Sequence, residues 1–200
     1  MKIIFNKEFK SFFSSVTGYF VIALFLITNA IFLWILPGQW NVFDSGYASL
    51  DALFFLAPWL YLFLCPAITM RFFAEEKSEG TIELLLTKPL SRLSIVGGKV
   101  LAGWVLVVVA LLPSLIWYLS IYMLAEPMGN VDSGAFWGSW IGLLFLAAVY
   151  VSIGTFGSSL TSNQVVAFIT SVVISFALFY GFELVGSLFS GETAYWLRQL

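Results

Sequence analysis

Along the chain, long apolar runs alternate with short polar ones, and the apolar runs have the length of a bilayer crossing. Five are visible, at residues 18–36, 50–73, 95–123, 136–160 and 165–188. A helix rises about 1.5 Å per residue and needs about 20 residues to cross the hydrocarbon layer, so each run predicts one spanning helix. Pro37-Gly38 ends the first run, and Thr161 to Gln164 forms a tight polar turn between the last two. Pro113 removes a backbone donor inside the third run and predicts a kink there. Asp51 stands in the first turn of the second, where a carboxylate can cap open amides. Residues 1–16 follow another pattern, with Phe5, Phe9, Phe12 and Phe13 on one side of a helix and Lys2, Asn6, Lys7 and Lys10 on the other. This pattern predicts an interfacial helix lying flat on the membrane, its lysines toward anionic head groups.

Charge is concentrated in one place. Of twenty charged residues, nine lie between Arg71 and Lys99: Arg71, Glu75, Glu76, Lys77, Glu79, Glu83, Lys88, Arg92 and Lys99. Water must reach this island. Glu75, Glu79 and Glu83 recur at helical spacing, but glycine weakens a helix interior by about 1 kcal/mol relative to alanine, so Gly80 predicts a bend at Ser78-Glu79-Gly80. A short helix from Thr81 to Thr87 follows, stopped by Pro89, and Ser91 can cap the next span. Ile82, Leu84, Leu85 and Leu86 outnumber Glu83 in the short helix, which therefore suits the membrane surface or a partner's hydrophobic groove. Eight of the nine lysines and arginines lie in the lead-in and the island, while the segments at 37–49 and 125–135 hold none. By the positive-inside rule the N-terminus and residues 74–92 are cytoplasmic.

Composition narrows the function. The chain is 60% hydrophobic and 10% charged, against about 25% charged in soluble domains, which predicts an integral membrane protein of one domain over residues 1–200. Basic residues are too few and too segregated to track a phosphate backbone, which excludes nucleic acid. There is no histidine, so metal-dependent and serine-type intramembrane proteolysis lack a ligand or base, whatever Glu75-Glu76 or Gly157-Ser158-Ser159 suggest. A phosphate-binding loop is missing too: Gly97-Gly98-Lys99-Val100 has Leu93 where the first glycine belongs and no hydroxyl after the lysine. Those glycines suit close packing where a helix enters the membrane. Cys65 stands alone in an apolar run and reads as packing.

Small residues at packing intervals, namely Gly138 and Gly142, Gly154 and Ser158, then Ala167, Ser171 and Ser175, let helices approach closely. Glu183, an ionisable group near the end of the fifth run, is a candidate for a transport path or a re-entrant segment. An odd number of spans with a polar amphipathic stretch at the end, SGETAYWLRQL, leads us to expect a sixth helix beyond residue 200.

The run FFAEEKSEGTIELLLTKPLSRLSIVGGK resembles the loop between the second and third spans of bacterial ATP-binding-cassette permeases of the type-2 exporter class. The matching positions are Glu75-Glu76, Gly80-Thr81-Ile82-Glu83-Leu84-Leu85, Pro89 with Ser91, and Gly98-Lys99; Phe5, Lys7-Glu8 and Gly18-Tyr19 are similar as well. Within the class, the run is most similar to the gliding-motility-associated permease subunits. The resemblance implies an all-α polytopic protein of the bacterial inner membrane, without enzyme activity of its own. It implies a cytosolic ABC ATPase, which would hold the ATP and magnesium, and a second permease subunit, identical or related. Glu75, Glu76, Lys77, Glu79, Gly80, Thr81, Ile82, Glu83 and Leu85 would form the coupling surface, its acids giving polar contacts and Ile82 and Leu85 anchoring it. A membrane anchor of a motility or secretion machine, without transport, is the alternative.

Overall fold

A computed structural model of the chain describes residues 1–87 and 91–188. Every regular element among them is helical. α1 (Lys2–Ser14) turns at Ser15 into α2 (Val16–Ala30), whose end loosens into a π-helical turn at Ile31–Ile35. A one-turn α3 (Val42–Ser45) precedes α4 (Asp51–Thr69), α5 (Arg71–Ser78) and α6 (Thr81–Leu86). Then come α7 (Arg92–Leu111), α8 (Ser114–Leu124), α9 (Ser133–Leu160) and α10 (Gln164–Leu188). Among the described residues, five helical rods are long and apolar enough to cross a membrane: Val16–Ile35, Asp51–Ser78, Arg92–Leu124, Ser133–Leu160 and Gln164–Gly181.

Local chemistry accounts for the boundaries. Gly80 adopts a φ of +69°, which side chains disfavour, and turns the chain between α5 and α6. Pro113 divides the third rod into α7 and α8. The Ser91 hydroxyl accepts from the Ser94 amide at 3.2 Å, and the Asp132 carboxylate from the Ala135 amide at 2.9 Å, capping α7 and α9. Asn163 does the same for α10, its Oδ1 accepting from the Val165 and Val166 amides. Asp51, in contrast, caps nothing: its carboxylate accepts from the Ser49 hydroxyl at 3.0 Å, while α4 starts at Leu50 without a side-chain cap. An acid inside the first turn still complements the helix dipole. Pro89 and Lys88 lie outside the described residues.

α9 is the central helix, packed against α4, α5, α7 and α10. Its small residues set those distances. A Cβ on Gly154 would fall 2.1 Å from the Thr69 hydroxyl of α4, and one on Gly157 would fall 2.2 Å from the Ser171 hydroxyl of α10. Ser158, Ala167, Ser171 and Ser175 are buried in the same seams, whereas Gly138 and Gly142 face open space. With no water-driven force between helices in lipid, such close approach supplies the packing.

Candidate functional site

α1 is packed onto the bundle. It lies across α7 and α2 with Ile4 and Glu8 buried, a face between the phenylalanine and lysine stripes. Gly98 makes the crossing possible: a Cβ there would meet the Met1 carbonyl at 3.0 Å and Ile4 at 3.1 Å. One residue further along α7 stands Lys99, wholly buried.

A buried ammonium needs acceptors, and three are supplied. Lys99 Nζ donates to Glu8 Oε1 of α1 at 2.6 Å and to the backbone carbonyl of Phe72 in α5, and it lies 2.9 Å from Glu76 Oε1 of α5. It also sits over the ring of Phe73, 4.9 Å from the centroid. Lys7 completes the group from the rim, 2.5 Å from Glu76 Oε1 and 3.6 Å from Glu8 Oε1. Two cations thus meet two carboxylates, and the cluster is neutral. Neutrality matters because desolvating each ion costs several kcal/mol, a loss recovered only by close, hydrogen-bonded partners. At Lys7, burial pulls the ammonium pKa down, but the hydrogen bond it donates to Glu76 and the charges of Glu8 and Glu76 outweigh it and leave it raised. The second oxygen of Glu76 is buried without a hydrogen-bond partner, so this carboxylate is held through one atom.

On its other side α5 is fastened to α9. Ser158 Oγ accepts from the amides of Phe73 at 3.0 Å and Ala74 at 3.1 Å, and donates to the Met70 carbonyl at 2.9 Å. A hydroxyl from another helix therefore caps the break between α4 and α5, where chain continuity cannot. Lys77 reaches the carbonyl of Ser159, at the end of α9 where the helix dipole favours a cation. Arg71 Nη1 donates to the Ser15 hydroxyl at 3.1 Å, at the corner between α1 and α2, and its Nε lies 3.7 Å from Glu75.

The proposed coupling residues consequently divide in two. Glu79, Gly80, Thr81 and Glu83 are exposed at the corner between α5 and α6, and Ile82 and Leu85 are half-buried beneath it. Glu75 is partly exposed beside Arg71. Glu76 points inward and is spent within the molecule, and Lys77 is spent on α9; neither belongs to the exposed corner. Of the lead-in residues, Lys2 and Lys10 are exposed, Phe5 and Phe9 half-buried, and Lys7 is engaged with Glu76. The side chain of Glu183 lies outside the described residues. Among the described residues no group of three or more acidic, histidine or cysteine side chains could hold a metal ion.

Glu8, Lys99 and Ser158 carry this arrangement; pattern reading gave Ser158 a packing role and named Glu8 and Lys99 only as matching positions, and it gave none of the three a partner. One signal was available: Lys99 interrupts an otherwise apolar run, and a charge at such depth needs a partner. Nothing local points to Glu8, ninety-one residues away.

Residues 48–196 match the family described as ABC-2 family transporter protein, most of the chain from the start of α4 onward. No curated protein and no solved structure matches.

Proposed function

The chain belongs to the ABC-2 transporter family, as a multi-pass permease subunit of an ABC transporter, and from that premise we propose that the corner between α5 and α6 is where a separate ATPase grips it. The observation that carries this reading is the corner's mounting. Glu79 and Glu83 are exposed, yet the helix behind them continues the second spanning rod and is bolted to α9 through Ser158 and Lys77. Such a corner transmits a push instead of absorbing it.

In this reading the charged end faces the cytoplasm of a bacterial inner membrane, and ATP and magnesium act in the partner. Glu75, Glu79 and Glu83 offer polar contacts, Gly80 and Thr81 form the turn, and Ile82 and Leu85 seat the short helix. Glu76 and Lys77 hold the lever from within. A second permease subunit, identical or related, completes the pathway. The setting in gliding motility or secretion rests on the likeness of the chain's length, its lead-in and the Gly80–Ser91 run.

The test is a pair of charge reversals, Glu79→Lys with Glu83→Lys. Like charges placed across a docked surface cost several kcal/mol, so co-purification with the ATPase should fall by about tenfold or more while insertion is unchanged. Undiminished association would reject the docking site. The purified complex in vesicles, scored for ATP-dependent movement of lipid, saccharide or peptide, separates a permease from an anchor.

A further inference from the structure

The docking reading explains why α5 is tied to α9, but not why α5 is also tied to α1. That second tie is the more costly arrangement. It buries a lysine and two glutamates, and the family match, which begins at residue 48, does not include the helix that supplies Glu8 and Lys7. Apolar packing between α1 and α7 alone would have held α1 in place. Ile4 over Gly98 provides such a contact.

Directional bonds do what apolar contacts do not. Greasy surfaces slide in register at little cost, whereas parting Lys99 from Glu8 strands a charge in a water-excluded place. The tie is also double. Besides the cluster, Arg71 of α5 holds the Ser15 hydroxyl at the corner joining α1 to α2. The corner itself is tight: the Ser15 amide donates to the Phe12 carbonyl at 3.2 Å and the Gly18 amide to the Ser15 carbonyl at 3.1 Å. A Cβ on Gly18 would fall 2.4 Å from the Phe12 carbonyl oxygen, so only glycine lets α2 leave α1 so abruptly. α5 is thus joined through α1 to the first span, through Lys99 to the third, and through Ser158 to the fourth.

We propose that Lys99, with Glu8 and Glu76, is a positioning centre that makes α1, α5 and the start of α7 move as one body, so that a push received at the α5–α6 corner drives the first and third spans together with the second. This rests on the docking reading for the source of the push, but the rigid tie is a property of the chain itself. Lys99 touches no cargo and no nucleotide in this account. It sets which helices follow the coupling helix.

The experiment places spin labels at Lys10→Cys on α1 and Ser78→Cys at the end of α5, both exposed, in a Cys65→Ala background. It is run in vesicles, on the permease alone and on the complex with its ATPase. The informative variant is Lys99→Met with Glu8→Gln, which removes one charge of each sign and strands none. With the cluster intact, the label distance is narrowly distributed and does not change on adding a non-hydrolysable ATP analogue. In the double variant the thermal melt is kept and the ATPase still binds, but the distribution widens and hydrolysis by the complex falls about tenfold, a typical size for a lost coupling between sites. Lys99→Arg, which keeps the cation, should retain most of the hydrolysis. Glu8→Gln alone, the mildest break, must also widen the distribution, and stands in should the double variant fail to fold. A distribution equally narrow in these variants, or a double variant with intact hydrolysis, overturns the proposal. Because the labels are read on the permease alone as well, a failed docking site and a failed tie give different results.

Discussion

At the charged end of the bundle, ion pairs and hydrogen bonds from Lys99, Glu76, Lys77 and Ser158 join α1, α5, α7 and α9; at the opposite end, α4, α8 and α9 meet through aromatic rings. Tyr118 stacks on Phe136 with centroids 4.2 Å apart, Phe54 meets Phe136 edge-on at 5.6 Å, and Trp40 stacks on Phe55 at 4.5 Å. The polar contacts there are light: the Tyr118 and Ser133 hydroxyls at 2.8 Å, and the Trp140 indole donating to Ser114 at 3.3 Å. Ring contacts are worth about 0.5–1.5 kcal/mol each and permit several geometries. A neutral charge cluster permits one. The bundle is therefore stiff where a motor would push and more compliant where a pathway would open.

The strongest challenge to this contrast is Lys99→Met. It leaves Glu8 and Glu76 buried with Lys7 alone as counter-charge, and should cost about 3–5 kcal/mol, read as a lowered melt in detergent. A loss below about 1 kcal/mol would put the two ends on equal terms. Next comes a pair of glycines on α9. Gly154→Ala pushes a methyl group into Thr69 and should lose about 1–3 kcal/mol, whereas Gly138→Ala meets nothing within 4 Å and should gain about 0.5–1 kcal/mol from helix propensity. Equal effects would mean that α9 is packed no more tightly toward its charged end. Smaller again is Tyr118→Phe, which keeps the stack on Phe136 and removes one hydroxyl bond; a melt lowered by about 0.5–1.5 kcal/mol is expected.

The smallest effect concerns pH. The Lys7 ammonium is raised above its ordinary lysine value, so its contribution is fully present below that value and is lost as pH rises through the raised one. Docking of α1, followed by a fluorophore at Lys10→Cys, should therefore be insensitive to Lys7 titration from mildly acid to mildly alkaline pH and weaken only above the usual lysine range. A change near neutrality would mean that Lys7 does not hold its proton through Glu76.

Much of this was readable in the chain because it depends on neighbours in sequence. The turn at Gly80, the break at Pro113, the cap at Ser91 and the exposed acids at Glu79 and Glu83 are each decided within a few residues. Pattern reading went astray where a residue's partner lies far along the chain. Glu76, given to the coupling surface by the resemblance, turned inward to Lys7 of α1 and Lys99 of α7. Ser158 looked like one more small residue in a stripe until its hydroxyl met the amides of a helix eighty-five residues away.

By itself the sequence determined that the chain is a set of spanning helices with one wet island, because hydrophobic length and charge placement are local quantities that the bilayer reads directly. The tertiary structure alone decided which charges would be surface and which would be mortar. A helix repeats every 3.6 residues, so Glu76 necessarily points away from the face that Glu75 and Glu79 share, and only the arrival of α1 and α7 beside α5 gives Glu76 its lysines.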